Sequence, residues 1–121
     1  MATLIPTLTL ASTDVFSDEL NMTITDSLAV TEPTTNISRK SIATGSAQAV
    51  LASNSAFSYT YLKVISGANA TDWLQVKLGG DAKLKLRVGE FAFLPLYSGQ
   101  AITAESQGGA TVLEYGQFSL S

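Results

Sequence analysis

Between Tyr59 and Tyr97 the chain reads YTYLKVISGANATDWLQVKLGGDAKLKLRVGEFAFLPLY, a set of short runs in which apolar and polar residues alternate, separated by clusters of Gly, Asn and Asp. Alternation with a period of two gives a strand one apolar and one polar face, and it does not fit the 3.6-residue period of a helix. The stretch is predicted to be a β-meander, around which the rest of the chain is organised.

A register can be worked out at its centre. Leu74, Val76 and Leu78 share one face, with Trp73, Gln75 and Lys77 on the other; Leu84, Leu86 and Val88 alternate with Lys83, Lys85 and Arg87. A two-residue loop at Gly79-Gly80 would set Val76 against Lys83. A three-residue loop through Asp81 is therefore expected, pairing Val76 with Leu84, Leu74 with Leu86 and Lys77 with Lys83, and placing Asp81 in the left-handed position. Trp73 then faces Arg87, close enough for a cation–π contact.

Residues 3 to 10 read as an edge-type strand containing Pro6, which has no N–H to give to a ladder. The segment Ala11 to Glu19 carries turn formers and has room for one helical turn capped by Ser12 or Thr13. Leu20 to Val30 alternates as a half-buried strand, with a bend at Asp26-Ser27. A turn surrounds Pro33, Asn36 to Ala43 and Ala47 to Leu51 are two weaker strands flanking Gly45, and Ser53 to Ser55 is another turn. Phe57, Tyr59 and Tyr61 line one face of the next strand. After Gly89 the run Phe91 to Leu96 is apolar at every position, as in a strand covered on both faces, and Pro95 argues for a strand end or a sheet edge. Ala101 to Glu105 and Thr111 to Phe118 are expected to close as a hairpin around Gly108-Gly109. Roughly eight to ten short strands at this spacing predict one all-β domain over residues 1–121, an antiparallel β-sandwich or jelly roll, with residues 1–18 as an N-terminal arm or edge strand.

Composition bears on association rather than on chemistry. Only 14% of the 121 residues are charged, and the net charge is −3. Mean hydropathy is +0.23. So few charges leave part of the surface to be buried against another copy or another protein, and a homo-oligomer is expected. The acidic balance gives no general attraction to nucleic acid. Cysteine and histidine are both absent. Disulfides, thiolate metal sites, the commonest metal ligand and the usual general base are absent with them. The N-terminus is unlike a signal peptide, and no run of about 18 apolar residues offers a membrane span.

Candidate chemistry is sparse. Asp72, Asp81, Glu90, Glu105 and Glu114 invite a two-carboxylate glycosidase reading, but Asp81 in a turn, Asp72 at a strand start and Glu90 after Gly89 occupy ordinary places for solvated carboxylates. Asp14, Asp18 and Glu19 cluster oxygen ligands as calcium requires, without the spacing of an EF-hand loop. The sequons at Asn21, Asn36 and Asn69 read as chance matches in a Ser-rich and Thr-rich chain. The stripe of Phe57, Tyr59 and Tyr61 reads as core or interface packing, with a sugar-stacking platform as the alternative. No catalytic, cofactor-binding or metal residue is assigned.

The order of Tyr59-Thr60-Tyr61-Leu62-Lys63-Val64, the turn Asn69-Ala70-Thr71-Asp72, the run Leu86-Arg87-Val88-Gly89-Glu90-Phe91-Ala92-Phe93-Leu94-Pro95-Leu96 and the strand Val112-Leu113-Glu114-Tyr115 resembles small β-rich proteins of bacteriophage virions. The resemblance covers residues 57–119 and departs at Ile65-Ser66-Gly67, where a more polar turn entry is expected. It implies a non-enzymatic structural protein of the virion, assembled in the bacterial cytoplasm. A capsid decoration (cement) protein bound to the major capsid protein is the first form this takes, and a tail, baseplate or fibre component the second. By the same analogy the oligomer is a trimer. A carbohydrate-binding module is the contending class, for which clustered exposed aromatics on one sheet face would discriminate. The expected interface is basic: Lys77, Lys83, Lys85 and Arg87, four of seven basic residues within eleven positions, with Trp73 as an apolar anchor.

Overall fold

The computed structural model describes residues 2–14, 19–31, 37–52, 58–96 and 101–120. Among them are twelve strands and no helix: β1 (Ala2–Leu4), β2 (Thr7–Ser12), β3 (Leu20–Thr25), β4 (Leu28–Thr31), β5 (Ser38–Ile42), β6 (Gln48–Leu51), β7 (Ser58–Gly67), β8 (Trp73–Leu78), β9 (Asp81–Arg87), β10 (Phe91–Leu96), β11 (Ile102–Gln107) and β12 (Thr111–Leu120). The all-β expectation holds, with more strands than the eight to ten predicted.

Eight of the strands form a sandwich. In one sheet β12 pairs with β5 and β7, and β7 pairs with β10; in the other the order is β6-β11-β8-β9. Within the two sheets the pairs β5·β12, β6·β11, β7·β10 and β8·β9 are nested one inside the next. This is the connectivity of a long hairpin rolled on itself, a jelly roll. The inward residues of both sheets make one core, with Ile42, Leu62, Val64, Leu74, Val76, Ile102, Ala104 and Leu113 all 0% exposed. Leu51, Leu86 and Leu96 complete it.

Two predicted connections are replaced by this topology. The stretch 59–97 is not a meander, because β7 and β10 lie in one sheet and β8 and β9 in the other. Nor do β11 and β12 pair as a hairpin: they lie in opposite sheets, and Gly108-Gly109 turns the corner between them. Alternation reports which residues face inward, and it is the same whether the next strand joins the same sheet or the facing one.

The remaining four strands form one bent hairpin. β1 pairs β4 with Leu4 opposite Leu28, and β2 pairs β3 with Thr7 opposite Thr25. Both chains break at the same level, Ile5-Pro6 on one side and Asp26-Ser27 on the other. The Asp26 N–H donates to the Pro6 carbonyl at 3.1 Å, and the Ser27 N–H to Asp26 Oδ1 at 2.7 Å. Pro6 interrupts the ladder because it lacks a donor. The root (β1, β4) extends the larger sheet through the end of β12, whereas β2 and β3 pair only with each other. The arm therefore needs residues 20–25 as well as the predicted 1–18.

The β8–β9 hairpin settles the register differently from the sequence argument. Trp73↔Arg87, Leu74↔Leu86 and Val76↔Leu84 pair as expected, but Lys77 pairs with Ala82 and Leu78 with Asp81. The loop is the two-residue Gly79-Gly80, with φ of 62° and 94°, the double positive φ that a tight primed turn requires. A bulge between Val76 and Lys77, taken up at Lys83, restores the leucines to the inner face. Lys77 and Lys83 are thus not cross-strand partners, and Asp81 does not take a left-handed conformation. The turns at Pro33 and at Ser53 to Ser55 lie outside the described residues, as does most of the segment from Ala11 to Glu19 beyond Asp14.

Candidate interaction surfaces

The outer faces of the two sheets differ in chemistry. On the smaller sheet, β8 presents Trp73, Gln75 and Lys77, β9 presents Lys83, Lys85 and Arg87, and β11 presents Thr103, Glu105 and Gln107. The predicted interface residues are brought together here, but two of the cations have acidic partners of their own. Arg87 Nη2 lies 2.9 Å from Glu90 Oε2, and Arg87 Nε donates to Glu90 Oε1 at 3.2 Å. The Arg87 backbone N–H also donates to Glu90 Oε1, at 2.7 Å. Donation by the Arg87 guanidinium, then by its N–H, holds the Glu90 carboxyl down at about 2. Lys77 Nζ lies 3.9 Å from Glu105. The cation over the Trp73 ring is Lys85, 4.5 Å from the centroid, and not Arg87 as expected.

The larger sheet carries a different surface. Along β10 the residues Ala92, Leu94 and Leu96 turn inward, and Phe91, Phe93 and Pro95 turn outward opposite Lys63, Tyr61 and Tyr59. Phe91 is 63% exposed. The strand is thus not covered on both faces in the single chain; its uniform apolarity reflects a core face and an uncovered outer face. Pro95 sits on an edge, since β10 ends the sheet. Tyr59 and Phe93 stack with ring centroids 5.2 Å apart and planes 24° from parallel. Beside them the Tyr61 hydroxyl donates to Glu114 Oε1 at 2.8 Å, and Arg39 Nε donates to Glu114 Oε2 at 3.0 Å. Burial, then the bond to Glu114, pushes the Tyr61 phenol up to about 12. The Tyr61 and Arg39 bonds hold Glu114 below the usual carboxylate range. Phe57 lies outside the described residues.

The bent hairpin stands next to this face. Side chains of Leu8 and Leu10 on β2 pair with those of Ile24 and Met22 on β3 and share one side, while Thr7, Thr9, Thr23 and Thr25 occupy the other. The apolar side is uncovered: Leu8 is 42% exposed, Leu10 41%, Met22 37% and Ile24 51%. Between its root and β10 lies a groove of about 510 Å³, walled by Leu4, Pro6, Leu8 and Ile24 on one side and Tyr59, Phe91 and Phe93 on the other. Alternation in β2 and β3 was visible in the sequence, whereas the uniformly apolar β10 showed none; that the topology sets them side by side was not visible either.

Asp72, Asp14 and Glu105 are each tied separately rather than gathered. Asp72 is not a solvated carboxylate, for it is 2% exposed and accepts the Asn69 N–H at 2.7 Å. It is wedged against Gly108 and Gly109, where a Cβ would come within 2.6 Å of its oxygens. Among the described residues no three acids are placed to hold a metal. Asp18, of the calcium candidate, lies outside them; the neighbouring Asp14 is engaged with the Ser12 hydroxyl at 3.0 Å.

The chain is an eight-stranded jelly roll with an apolar arm. Compared with protein-family models, with curated proteins and with solved structures, it matches none.

Proposed function

We propose that the protein is a non-enzymatic structural component of a bacteriophage virion, a decoration protein that self-associates and binds the outer surface of the head. The observation that carries this reading is the apolar arm beside the aromatic face of β10, a surface made to be covered by protein. The resemblance of residues 57–119 to small virion proteins supports it. So does the jelly roll, an architecture that viral capsid domains use, although such a likeness of fold carries no function by itself. The two chemically distinct outer faces suit a subunit that meets its own kind on one side and the shell on the other. A place in the tail, baseplate or fibre would use the same surfaces. The reading is tested by sedimenting the purified chain with phage heads stripped of accessory proteins: saturable binding at a fixed ratio to the capsid subunit is expected, and a chain that stays in the supernatant at every concentration overturns it.

The clustering of Tyr59, Tyr61, Phe91 and Phe93 on one sheet face favours a second reading, a carbohydrate-binding module. The stacking of Tyr59 on Phe93 works against it, because each ring covers a face that a sugar would need. Retardation of the chain in gels containing soluble polysaccharide, lost on Phe91→Ala, would favour this second reading over the first.

A further inference from the structure

We infer that the arm of one copy fills the groove of a second copy, so that the apolar tip of β2–β3 packs against Tyr59, Phe91 and Phe93 of its neighbour. The inference rests on the self-association in the reading above and names the surface that performs it. Three features single out another copy of this chain as the occupant. The first is extent. The apolar surface does not end at the groove but runs outward along the arm to Leu10 and Met22, so a small ligand in the groove would leave the tip in water. The exposed large hydrophobics Leu8, Leu10, Met22, Ile24 and Phe91 offer on the order of 500 Å² per copy, which with their rim approaches the ~800 Å² per partner of a standard interface.

The second feature is complementarity within one chain. The arm is a two-stranded ribbon with one apolar side, and the groove is lined mainly by apolar side chains, with Tyr59, Phe91 and Phe93 along one wall. Each copy supplies both halves of the contact. The third is charge. A chain of net charge −3 repels its own copies in general, yet the charges nearest this patch balance in sign: Asp26 at the arm root and Glu90 beside Phe91 stand against Lys63 opposite Phe91 and Lys85. A lone two-stranded hairpin is at best marginal in water, so cover on its apolar side also gives the arm the packing that its own sheet does not.

The absence of cysteine makes the test direct. Leu10→Cys and Phe91→Cys are prepared separately, mixed, allowed to exchange and oxidised, and light scattering is run in parallel on the unmodified chain and on Leu10→Asp. The expected results are a covalent species containing one chain of each variant, formed in the mixture, and a wild-type mass that is a multiple of 12.7 kDa. Leu10→Asp should weaken association by on the order of thirtyfold, as loss of an interface anchor does, with the melting of the sandwich unchanged. A wild-type mass of 12.7 kDa, or an oligomer that forms no Leu10→Cys/Phe91→Cys cross-link and ignores Leu10→Asp, overturns the inference. In the latter case binding to phage heads stands unaffected. Conversely, arm-in-groove cross-links in a chain that binds no head would support this contact and overturn the virion reading.

Discussion

Three side chains, Tyr61, Glu90 and Asp72, show how local chemistry stiffens the roll. Tyr61 and Glu114 are diagonal neighbours on the adjacent strands β7 and β12, and burial, then their bond, raises the phenol to about 12. An unfolded tyrosine titrates near 10. Because the folded value is the higher, the contribution is complete below about pH 10 and is lost as pH climbs toward 12. Spectrophotometric titration at the tyrosinate band should therefore show one late phenol that Tyr61→Phe removes. Glu90 works in the opposite direction. Its carboxyl is depressed to about 2, so its pairing with Arg87 is intact above the ordinary glutamate range and fades as pH falls from there toward 2. A side-chain carbon titration with a midpoint near 2, moved up by Arg87→Ala, is the expected signature. Asp72 matters through burial. It joins the turn after β7 to the Gly108-Gly109 corner, where the Ala68 N–H also donates to the Ala110 carbonyl at 3.0 Å. Asp72→Ala should cost about 1–3 kcal/mol in denaturant unfolding by leaving the Asn69 N–H without its acceptor. Gly109→Ala should cost a similar ~1–3 kcal/mol, since its Cβ would fall 2.6 Å from Asp72 Oδ2 and 2.9 Å from the Ala68 Cβ.

At the scale of elements, the bulge in β9 reconciles two demands that conflict in the sequence. Gly79-Gly80 favours a tight two-residue turn, and a tight turn alone would bring Val76 against Lys83. Placing Lys83 in a bulge lets the turn and the leucine pairing both hold. Deleting Lys83 should accordingly be tolerated, shifting the melting temperature by a few degrees at most, because Ala82 would still face out and Leu84 in. Deleting Lys85 should unfold the hairpin or the domain, because it would put Leu84 and Leu86 on opposite faces. If both deletions behave alike, the bulge is not what sets the register. The same hairpin shows how far reading the sequence reaches. Leu74, Val76, Leu84 and Leu86 declare their shared face by alternation, whereas Ala92, Leu94 and Leu96 do not, because every position of β10 is apolar. The Lys83 bulge is silent in the sequence because one extra residue leaves no compositional trace. The membership of β11 and β12 in different sheets and the burial of Asp72 arise from contacts distant along the chain. Of the candidate surfaces, the basic cluster was legible because it is contiguous in sequence, and the arm and groove were not, since they join residues 4–26 to residues 59–93.

At the scale of the whole molecule, the sandwich has an apolar-aromatic side with the arm and a polar side where β9 forms a sheet edge. On the virion reading proposed above, if the first side is used between copies, the second is left for the shell. Arg87 and Lys77 have acidic partners within the chain, which leaves Lys83, exposed at the bulge, and Lys85, held over Trp73, as the cations with most to offer a partner. The bulge pushes Lys83 out of the ladder, and the indole keeps Lys85 beside an apolar anchor, an arrangement suited to docking on an acidic surface. The competing account is that exposed lysines on an edge strand simply prevent edge-to-edge pairing. The double variant Lys83→Glu/Lys85→Glu separates the two. Both residues are exposed, so its melting temperature should stay close to that of the parent, within the ~0.5 kcal/mol per site usual for surface changes. Its binding to phage heads should be lost, and parental binding should weaken as salt shortens the screening length from ~10 Å at 0.1 M toward ~3 Å at 1 M. Full occupancy by the double variant at every ionic strength would assign both lysines to protecting the edge and move the shell contact to another surface. Retained binding together with new aggregation would identify edge protection as their role directly.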